Sequence, residues 1–501
     1  MARMKRDRFL LAITFIVILM VDVYFVLLPR LRAWNNLSSG GCNCHGVNGS
    51  VGYPEQVPHK KTLSSNFVSQ KGSKLKRLFG HPLYNIHLPE LSPDERLLEE
   101  EELMEYYRRK VTRWQRQQKF YIEAAAASNI SLPEQPVHFN SDASWLKFHL
   151  GINRYALYSR DDENIDQLLH DTQSAAIIGA DYTQDEKALK GACDCSQVVK
   201  PSGHHLKLAL KLQDFGKAMF KPMRQERHEE TPEDFFYFVD FQRHNAEIAS
   251  FHLDRLSAVM NAYLSRRGIY TSDPPKANNT CFFAKCLYVC KTEYAVCGHP
   301  DLLEGSMSAY LPGLSVAPRI SIPSPWIRSY TFTGKEEWEV NPSYCDTIKK
   351  LYPYSSGNRL LNIIDMAIFD FLTGNMDRHH YEIFTKFGDE GFLLHLDNAR
   401  GFGRHSYDEM SILAPLTQCC MIKRSTLLRL QLLMQPEYRL SDVMRESLDR
   451  DPLRPILTEL HLQALDRRLE RVIRSVSRCV KKLGEAKVVV TDFIEASGPA
   501  T

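Results

Sequence analysis

The feature that most constrains this chain is a run of roughly twenty mostly apolar residues near its N-terminus. In the segment MARMKRDRFLLAITFIVILMVDVYFVLLPRLRAW, a basic run precedes the apolar one. Such a span can cross a bilayer, and its positive flank is expected to stay in the cytosol. Arg30 and Arg32 follow the span, and no clear A-x-A cleavage site does. For residues 1–34, a signal anchor and a cleaved signal peptide therefore both remain possible, and we favour an anchor that is later cleaved. The rest of the chain is then expected to fold in the secretory pathway, with membrane contact only through this segment.

The twelve cysteines take their meaning from that compartment. An even number behind an export signal predicts disulfide bonds, and no cysteine pair has zinc-finger spacing with histidines. Acceptor tripeptides for N-glycosylation, which also suit a lumenal chain, begin at Asn36, Asn48, Asn129 and Asn278. We therefore predict a disulfide-stapled glycoprotein and no metal site.

The net charge of the chain is only +3, from 63 Lys and Arg against 60 Asp and Glu. This balance gives no basic field suited to nucleic acid, so nucleic acid is not expected as a partner. With 501 residues, 44% of them hydrophobic, the chain can bury a large core and hold two or three domains.

The composition also divides the N-terminal part of the chain. Residues 35–81 are rich in Ser, Gly, Asn and Lys, which predicts a flexible lumenal stem. Residues 82–142 are predicted to be a helical segment, with Ser92-Pro93 as the start signal of a long helix. An apolar stripe on this helix comprises Leu103, Tyr107, Trp114 and Tyr121. The stripe either packs on the core of this chain or docks on another chain, in which case the segment serves dimerisation.

Residues 143–280 are predicted to form a small, mainly β lobe. The runs HLKLALKL and GKAMFKP are typical of strands in a small antiparallel sheet. A helix follows in TPEDFFYFVDFQRHNAEIASFHLDR, with Thr231 as its N-cap and a proline at the first position.

Residues 281–484 are predicted to form a larger, mainly helical lobe, followed by a tail over residues 485–501. The run RLLNIIDMAIFDFLTG indicates a buried helix. Another helix covers Leu462–Leu483, with apolar residues along one face and an end at Gly484.

Two aspartates in loops of this lobe could carry chemistry. Asp377 follows the buried helix, in GNMDRHHY, and Asp397 follows a strand predicted in GFLLHLDNARGFG. Phosphoryl transfer needs such a pair, one carboxylate to take the hydroxyl proton and one to hold the metal that bridges phosphates. It also needs a lysine on the small-lobe sheet, and Lys221 lies at a strand end. From these residues alone, the alternative that both aspartates only form turns stays open.

Longer motifs narrow this choice. The stretches FKPMRQ, FQRHNAEIASFHLDR, EWEVNPSYC, GNMDRHHYE, HLDNARGFGRHS and LTQCC resemble the Golgi casein kinase family of secretory-pathway kinases, over residues 106–483. The resemblance implies an α+β, atypical two-lobed protein-kinase-like fold, with a small mainly β N-lobe that carries one long helix and a larger mainly α C-lobe. It also implies that Lys221 is the phosphate lysine, Asp377 the residue in the catalytic-base position, and Asp397 the metal-binding aspartate.

Gln242 departs from the active members of that family, which carry a glutamate there that pairs with the lysine and helps hold the metal. An amide carries no charge and is a poor ligand for a hard divalent cation. At about 100° per residue of helix, Glu247 would lie about 140° round from Gln242, and neither Asp240 nor Asp254 would share its face. The resemblance therefore implies a pseudokinase whose nucleotide-binding residues are Lys221, Gln242 and Asp397. ATP is its expected cofactor, without a required divalent metal.

The resemblance extends to the cysteines, whose pattern is similar to that of the pseudokinase branch of the family. It implies that Cys193 and Cys195, in the phosphate-covering loop, are tied to the cluster Cys281, Cys286, Cys290 and Cys297. It also implies two bridges in the larger lobe among Cys345, Cys419, Cys420 and Cys479. Spacing does not give connectivity, so disulfides between other partners remain an alternative for the loop.

The function implied is activation by association. The expected partner is the active Golgi casein kinase paralogue, in a heteromer, with a homodimer also expected and the helix near Trp114 as part of the docking surface. The setting would be the Golgi and endoplasmic reticulum lumen and the extracellular space, and the biology biomineralisation, especially enamel. An active kinase for Ser-x-Glu sites and, after it, a sugar (xylose) kinase are the alternatives. Residues 256–277 do not resemble the family, which makes nucleotide binding less secure.

Overall fold

A computed structural model describes residues 72–84, 91–127, 139–155, 163–181, 207–232, 243–257, 265–267, 270–271, 281–282, 296–297, 302–329, 331 and 334–492. They all belong to the compact unit formed by Gln70–Lys190 and Val198–Thr501. The described strands are β1 Ile177–Asp181, β2 Leu208–Leu212, β3 Lys217–Pro222, β4 Ser265–Arg267, β5 Tyr270–Thr271, β6 Cys281–Phe282, β7 Val296–Cys297, β8 Leu302–Leu303, β9 Gly305–Ala309, β10 Arg319–Pro323, β11 His380–Phe384, β12 Ile422–Lys423 and β13 Val489–Val490. The described helices are α1 Lys74–Phe79, α2 Glu100–Ala127, α3 Ser144–Gly151, α4 Glu163–Ser174, α5 His244–Ser257, α6 Glu337–Val340, α7 Tyr344–Ile348, α8 Arg359–Thr373, α9 Ala414–Cys419, α10 Arg424–Leu433, α11 Leu440–Leu448, α12 Glu459–Leu483 and α13 Glu485–Val488.

The small lobe is built on a five-stranded antiparallel sheet with the order β1-β2-β3-β9-β4. Because side chains alternate along a strand, one face of β2 and β3 carries Leu210, Leu212, Ala218 and Phe220, which pack with Met307 of β9 into a small core. The lysines of the same strands occupy the opposite face. Helix α5 packs beside β4 and β9, so the predicted sheet and helix are both present.

The larger lobe is mainly helical and holds the largest core. Every residue of α8 except Asn362 is buried, as its long apolar run predicts. Helix α12 buries one face, through Leu465, Leu469, Val472 and Val476, and ends at Gly484. Two disulfides, Cys345–Cys419 and Cys420–Cys479, join α7, α9 and α12. The atypical two-lobed kinase-like fold with its disulfide staples is therefore confirmed.

Helix α2 packs on its own chain along its first three turns. Leu103, Tyr107 and Val111 are buried, and Tyr107 stacks edge-on with Trp145 at a centroid distance of 4.6 Å. Trp114 is half-buried against Phe215, whereas further along the helix Phe120 is 67% exposed. Core packing thus accounts for the first part of the stripe, and a docking role for the second part stays a prediction.

The predicted start of that helix is wrong. Ser92 and Glu95 form a capping box, but it opens a separate 3-10 turn over Pro93–Glu95, and the long helix begins at Glu100. Arg96 interrupts the helical backbone because it has an extended conformation and pairs with Asn153.

Three predicted boundaries also need correction. The stem does not extend to residue 81, because α1 is folded and buries Leu75 and Leu78. The lobe boundary at residue 280 is wrong, because β9 pairs with β3 in the small-lobe sheet. The tail does not start at residue 485: α13 and β13 follow, and β13 pairs in parallel with β12.

The strand predicted before Asp397 is reduced to one isolated bridge, between Leu394 and Glu382. The helix predicted over residues 231–255 is not continuous, because Pro232 and Arg243 are not helical and α5 begins at His244. Arg243 donates its backbone N–H to the carbonyl of Ala399, 2.7 Å away, so its backbone joins the loop after Asp397.

Several predictions fall outside the described residues. They concern residues 1–34, the acceptor sites Asn36, Asn48, Asn129 and Asn278, Gln242, and the cysteines Cys42, Cys44, Cys193, Cys195, Cys286 and Cys290. The backbones of Cys281 and Cys297 are paired directly across β6 and β7. No helix within the described ranges is long and apolar enough to cross a membrane.

Candidate functional site

Lys221 lies in β3 and bridges two carboxylates. Its Nζ is 2.5 Å from Oε1 of Glu247 and 2.5 Å from Oδ1 of Asp397. Glu247 is fully buried on α5, and its second oxygen, Oε2, accepts the backbone N–H of Asn398 at 3.2 Å. The sheet, the helix and the Asp397 loop therefore meet at one ammonium group.

This geometry corrects the predicted partner of the lysine. The expectation that Gln242 replaces the partner of Lys221, and that a charged pair is lost, does not hold, because Glu247 supplies the carboxylate. The helical wheel that placed Glu247 on another face counted from Gln242, but Arg243 is not helical. The position of the Gln242 side chain lies outside the described residues, and its predicted role toward a metal stays a prediction.

Asp377 lies in the loop that follows α8. Gly374 ends the helix in the left-handed conformation, with φ of 75°, which glycine adopts without steric cost. The loop is then fixed by the side chain of Asn375, whose Oδ1 accepts the backbone N–H of Asp377 at 3.0 Å. Oδ2 of Asp377 lies 2.7 Å from Nε of Arg400, and both side chains are largely buried. The carboxylate in the base-like position is therefore engaged by a guanidinium.

Arg378 joins this loop to the loop of Asp397. Its Nε and Nη2 each lie 2.9 Å from one oxygen of the buried Asp370, a bidentate pair. Its Nη1 donates to the carbonyl of Leu396 and its Nη2 to Oδ1 of Asn398, both at 2.6 Å. Asp397, with φ of 61°, is left-handed, a conformation that Asp tolerates better than most residues. Arg378 thus fixes the spacing between the two aspartate loops.

His379 and His380 form part of the same loop. Adjacent loop residues seldom point at one ion, so the sequence predicts loop architecture for this pair. The two Nδ1 atoms lie 2.6 Å apart. Burial lowers the pKa of both histidines, and the charge of Arg378, preceded for His380 by that of His379, lowers it further. Within the described ranges no group of three or more His, Cys, Asp or Glu side chains could hold a metal ion.

Lys207 is a site residue that the sequence interpretation missed. It is half-buried, directly before β2, and its charge interacts with those of Asp397, Lys221 and Glu247. Burial lowers its pKa most, Lys221 lowers it further, and the two carboxylates raise it. The signal was present in the alternation of LKLALKL, which places this lysine on the polar face of the strand.

The described residues around Lys221 include groups that can hold phosphate. Two ammonium groups are typical ligands of phosphate oxygens. A hard cation needs several oxygen ligands, and Glu247 and Asp397 already share one ammonium group. We therefore derive no step through a metal ion.

The comparisons with known proteins agree with this architecture. A family model described as "Golgi casein kinase, C-terminal, Fam20" matches residues 143–269 and 258–488. The chain belongs to the Fam20 family. The two matched ranges overlap at residues 258–269. These residues lie inside the segment 256–277, which does not resemble the family motifs.

Relatives of this chain include a protein named as a pseudokinase and a protein named as a kinase. The mouse protein named "Pseudokinase FAM20A" is 54% identical over 541 aligned positions that cover 100% of this chain and 98% of the relative. The human "Extracellular serine/threonine protein kinase FAM20C" is 46% identical, over 84% of this chain and 71% of the relative. The crystal structure of the Golgi casein kinase with Mn/ADP bound is 35% identical, has a TM-score of 0.62, and covers 70% of this chain and 84% of that chain. The predicted family is therefore confirmed.

Proposed function

We propose that this Fam20 chain is a nucleotide-binding pseudokinase of the secretory pathway. It binds ATP without a required divalent metal and activates the active Golgi casein kinase paralogue by association. The complex promotes phosphorylation of secreted proteins in biomineralisation, including that of enamel, tooth and bone. It acts in the Golgi and endoplasmic reticulum lumen and in the extracellular space.

The observation that carries the proposal is the position of Lys221. Its ammonium group pairs with the carboxylates of Glu247 and Asp397, and a lysine–glutamate pair beside an aspartate is the arrangement with which a kinase-like fold holds the phosphates of a nucleotide. Gln242 adds an uncharged side chain where active members carry glutamate. The solved Golgi casein kinase with Mn/ADP supports a nucleotide site in this fold, and the relatives named pseudokinases support the absence of turnover.

Association with an active kinase is supported by the exposed side chains in the second half of α2. After Val111 most of its described side chains are exposed, including Phe120 at 67%. An exposed aromatic residue on a long helix is typical of an interface residue. The same surface would serve a homodimer of this chain.

Two alternatives stand against this proposal. An active Ser/Thr kinase for Ser-x-Glu sites is favoured by the contact of Lys221 with Asp397, and by Asp377, whose loop Arg378 ties to the Asp397 loop. Together with Glu247 and Lys207, these residues are called the cleft below. A sugar (xylose) kinase is favoured only by relatives named glycosaminoglycan xylosylkinases, at 41–42% identity over 59% of this chain.

A titration tests activation. The purified chain is added to the active Golgi casein kinase with a Ser-x-Glu peptide, and phosphate incorporation is measured. We expect incorporation to rise with added chain, and Phe120→Asp to require about tenfold more chain for the same rise. The control is Val340→Asp, at a residue that is 63% exposed on α6 of the larger lobe, and it should behave as wild type. Unchanged phosphorylation with wild-type chain would end the activator proposal.

A paired assay tests the absence of turnover. Wild type and Gln242→Glu are incubated with ATP and Mn²⁺, and ATP hydrolysis and peptide phosphorylation are measured. We expect wild type to be silent and the variant to gain Mn²⁺ binding and some turnover, because a carboxylate replaces a neutral amide. Wild-type phosphate transfer that Asp377→Ala abolishes would favour the active-kinase alternative.

A further inference from the structure

The described part of the nucleotide cleft contains a second lysine next to Lys221. In the antiparallel register of β2 and β3, Leu208 lies opposite Phe220. One step further places Lys207 opposite Lys221, on the face of the sheet away from the small core of Leu210 and Phe220. Side chains directly opposite each other in such a pair have Cβ atoms about 5 Å apart. The two ammonium groups therefore serve the same cleft.

This arrangement is unfavourable for the protein alone. Like charges directly opposite each other across two strands are destabilising. Lys207 is also half-buried, and it forms no direct ion pair with any other described residue, whereas Lys221 contacts both Glu247 and Asp397. Burial is the main cause of the lowered pKa of Lys207; Lys221 lowers it further, while the larger effect of Asp397 and the effect of Glu247 raise it, so the charged form is disfavoured in the folded chain because of burial.

The charges of the cleft explain what Lys207 adds. The formal charges of Lys221, Glu247 and Asp397 sum to −1, which would repel a triphosphate. Lys207 brings this group to neutrality and leaves its own ammonium hydrogens available. In metal-dependent kinases, the metal ions neutralise this charge on the phosphates.

We propose that Lys207 binds the phosphate groups of the nucleotide and supplies the positive charge that lets this chain bind ATP without a divalent cation. The role rests on the nucleotide binding proposed above. This role predicts two opposite effects of removing Lys207. The affinity for ATP falls, and the unliganded protein becomes more stable.

Binding is measured by calorimetry on the purified chain, with EDTA present and with ATP or inorganic tripolyphosphate as the probe. We expect Lys207→Met to weaken both ligands about tenfold or more, the loss of one hydrogen bond to a charged group. Lys207→Arg keeps the charge and should restore most of the affinity. The matched control is Lys211→Met, on the same strand and face but about 13 Å away, which should bind as wild type.

Thermal unfolding without ligand gives the second readout. Because Lys207→Met removes a charge that burial disfavours, we expect its Tm to rise by about 1–2 °C. A fall in Tm would show that Lys207 supports the fold, and the phosphate-binding proposal would be overturned.

The outcomes separate this inference from the proposed function. If wild type binds ATP and Lys207→Met binds it equally well, only the role of Lys207 fails. If wild type binds tripolyphosphate through Lys207 but does not bind ATP, the nucleotide proposal fails and the anion site remains. If wild type binds neither ligand, both are overturned.

Discussion

The two sides of the cleft handle charge differently. On the larger-lobe side, the charged groups of the aspartate loops are paired and largely buried, as in Arg378 with Asp370 and Arg400 with Asp377. On the small-lobe side, Lys207 faces a second lysine and has no direct ion pair with another described residue. The paired side holds the loops in place, whereas the unbalanced side has charge available for a ligand. Under the role proposed for Lys207, a kinase framework keeps its shape while the group that neutralises the charge of the nucleotide changes.

The strongest test of this comparison removes a paired charge. Arg378→Met leaves Asp370 buried without its partner and cuts the link to Leu396 and Asn398. We expect the free energy of unfolding to fall by about 3–5 kcal/mol, as for other broken buried pairs. Urea denaturation measures it, with Arg474→Met as a control, because the Arg474–Glu470 pair is exposed. If the free energy of unfolding falls by the same small amount in both variants, the buried charge pairs do not stabilise the larger-lobe side.

Two buried histidines, one on each side, sharpen the comparison. His149, whose Nε2 is 2.8 Å from the carbonyl of Tyr310, and His461, whose Nε2 is 3.0 Å from that of Phe402, both have a pKa lowered to about 4, mainly by burial. The unfolded chain takes up these protons below about pH 6.5 and the folded chain only near pH 4. Stability is therefore fully present above about pH 6.5 and is lost as the pH falls toward 4.

We expect each of these histidines to contribute about 2 kcal/mol to the loss of stability between pH 7.5 and pH 5. His149→Gln and His461→Gln should each flatten the pH dependence by that amount in urea titrations. Equal effects of the two substitutions would show that the histidines on the two sides of the cleft are equally buried. The two sides would then differ in charge pairing alone. A variant with the wild-type pH dependence would show that its histidine is not buried in the neutral form.

The smallest effect is expected at the glycine that precedes the Asp377 loop. Gly374→Ala keeps the left-handed backbone, and the added Cβ would lie 3.1 Å from Nη1 of Arg468. That guanidinium is held by Asp408 and by the carbonyl of Leu372, so it gives way poorly. We expect a loss of about 1–2 kcal/mol in chemical unfolding, from backbone strain and this contact. An unchanged midpoint would mean that the loop can shift without cost.

The framework of the fold was predictable because its signals are local and long. The apolar run of α8 and the one-sided pattern of α12 predict their helices, and glycines predict their ends. The alternation in β2 and β3 predicts the sheet. Boundaries were less predictable: the capping box of Ser92 is real, but the extended backbone of Arg96 separates it from α2.

The site was predictable only in part. The motifs identified Lys221 and Asp397, which the structure places in direct contact. The partner of the lysine was missed because a helical wheel assumes a continuous helix, and the backbone of Arg243 instead bonds to Ala399. Identifying Lys207 as a site residue required the pairing register of β2 and β3, which depends on the tertiary structure. Its alternation with apolar residues was visible in the sequence, but the residue that lies opposite it was not.

Helix α1 defines how far the chain can be trimmed. Glu446 of α11 accepts the hydroxyl of Ser73 and the backbone N–H groups of Lys74 and Leu75, while Leu78 is fully buried. Cleavage at a bond upstream of Ser73 would leave these contacts in place. A cut a few residues later would remove the groups that Glu446 of α11 binds and would expose apolar surface. The contacts of α1 with the larger lobe therefore set the last position at which cleavage leaves α1 attached.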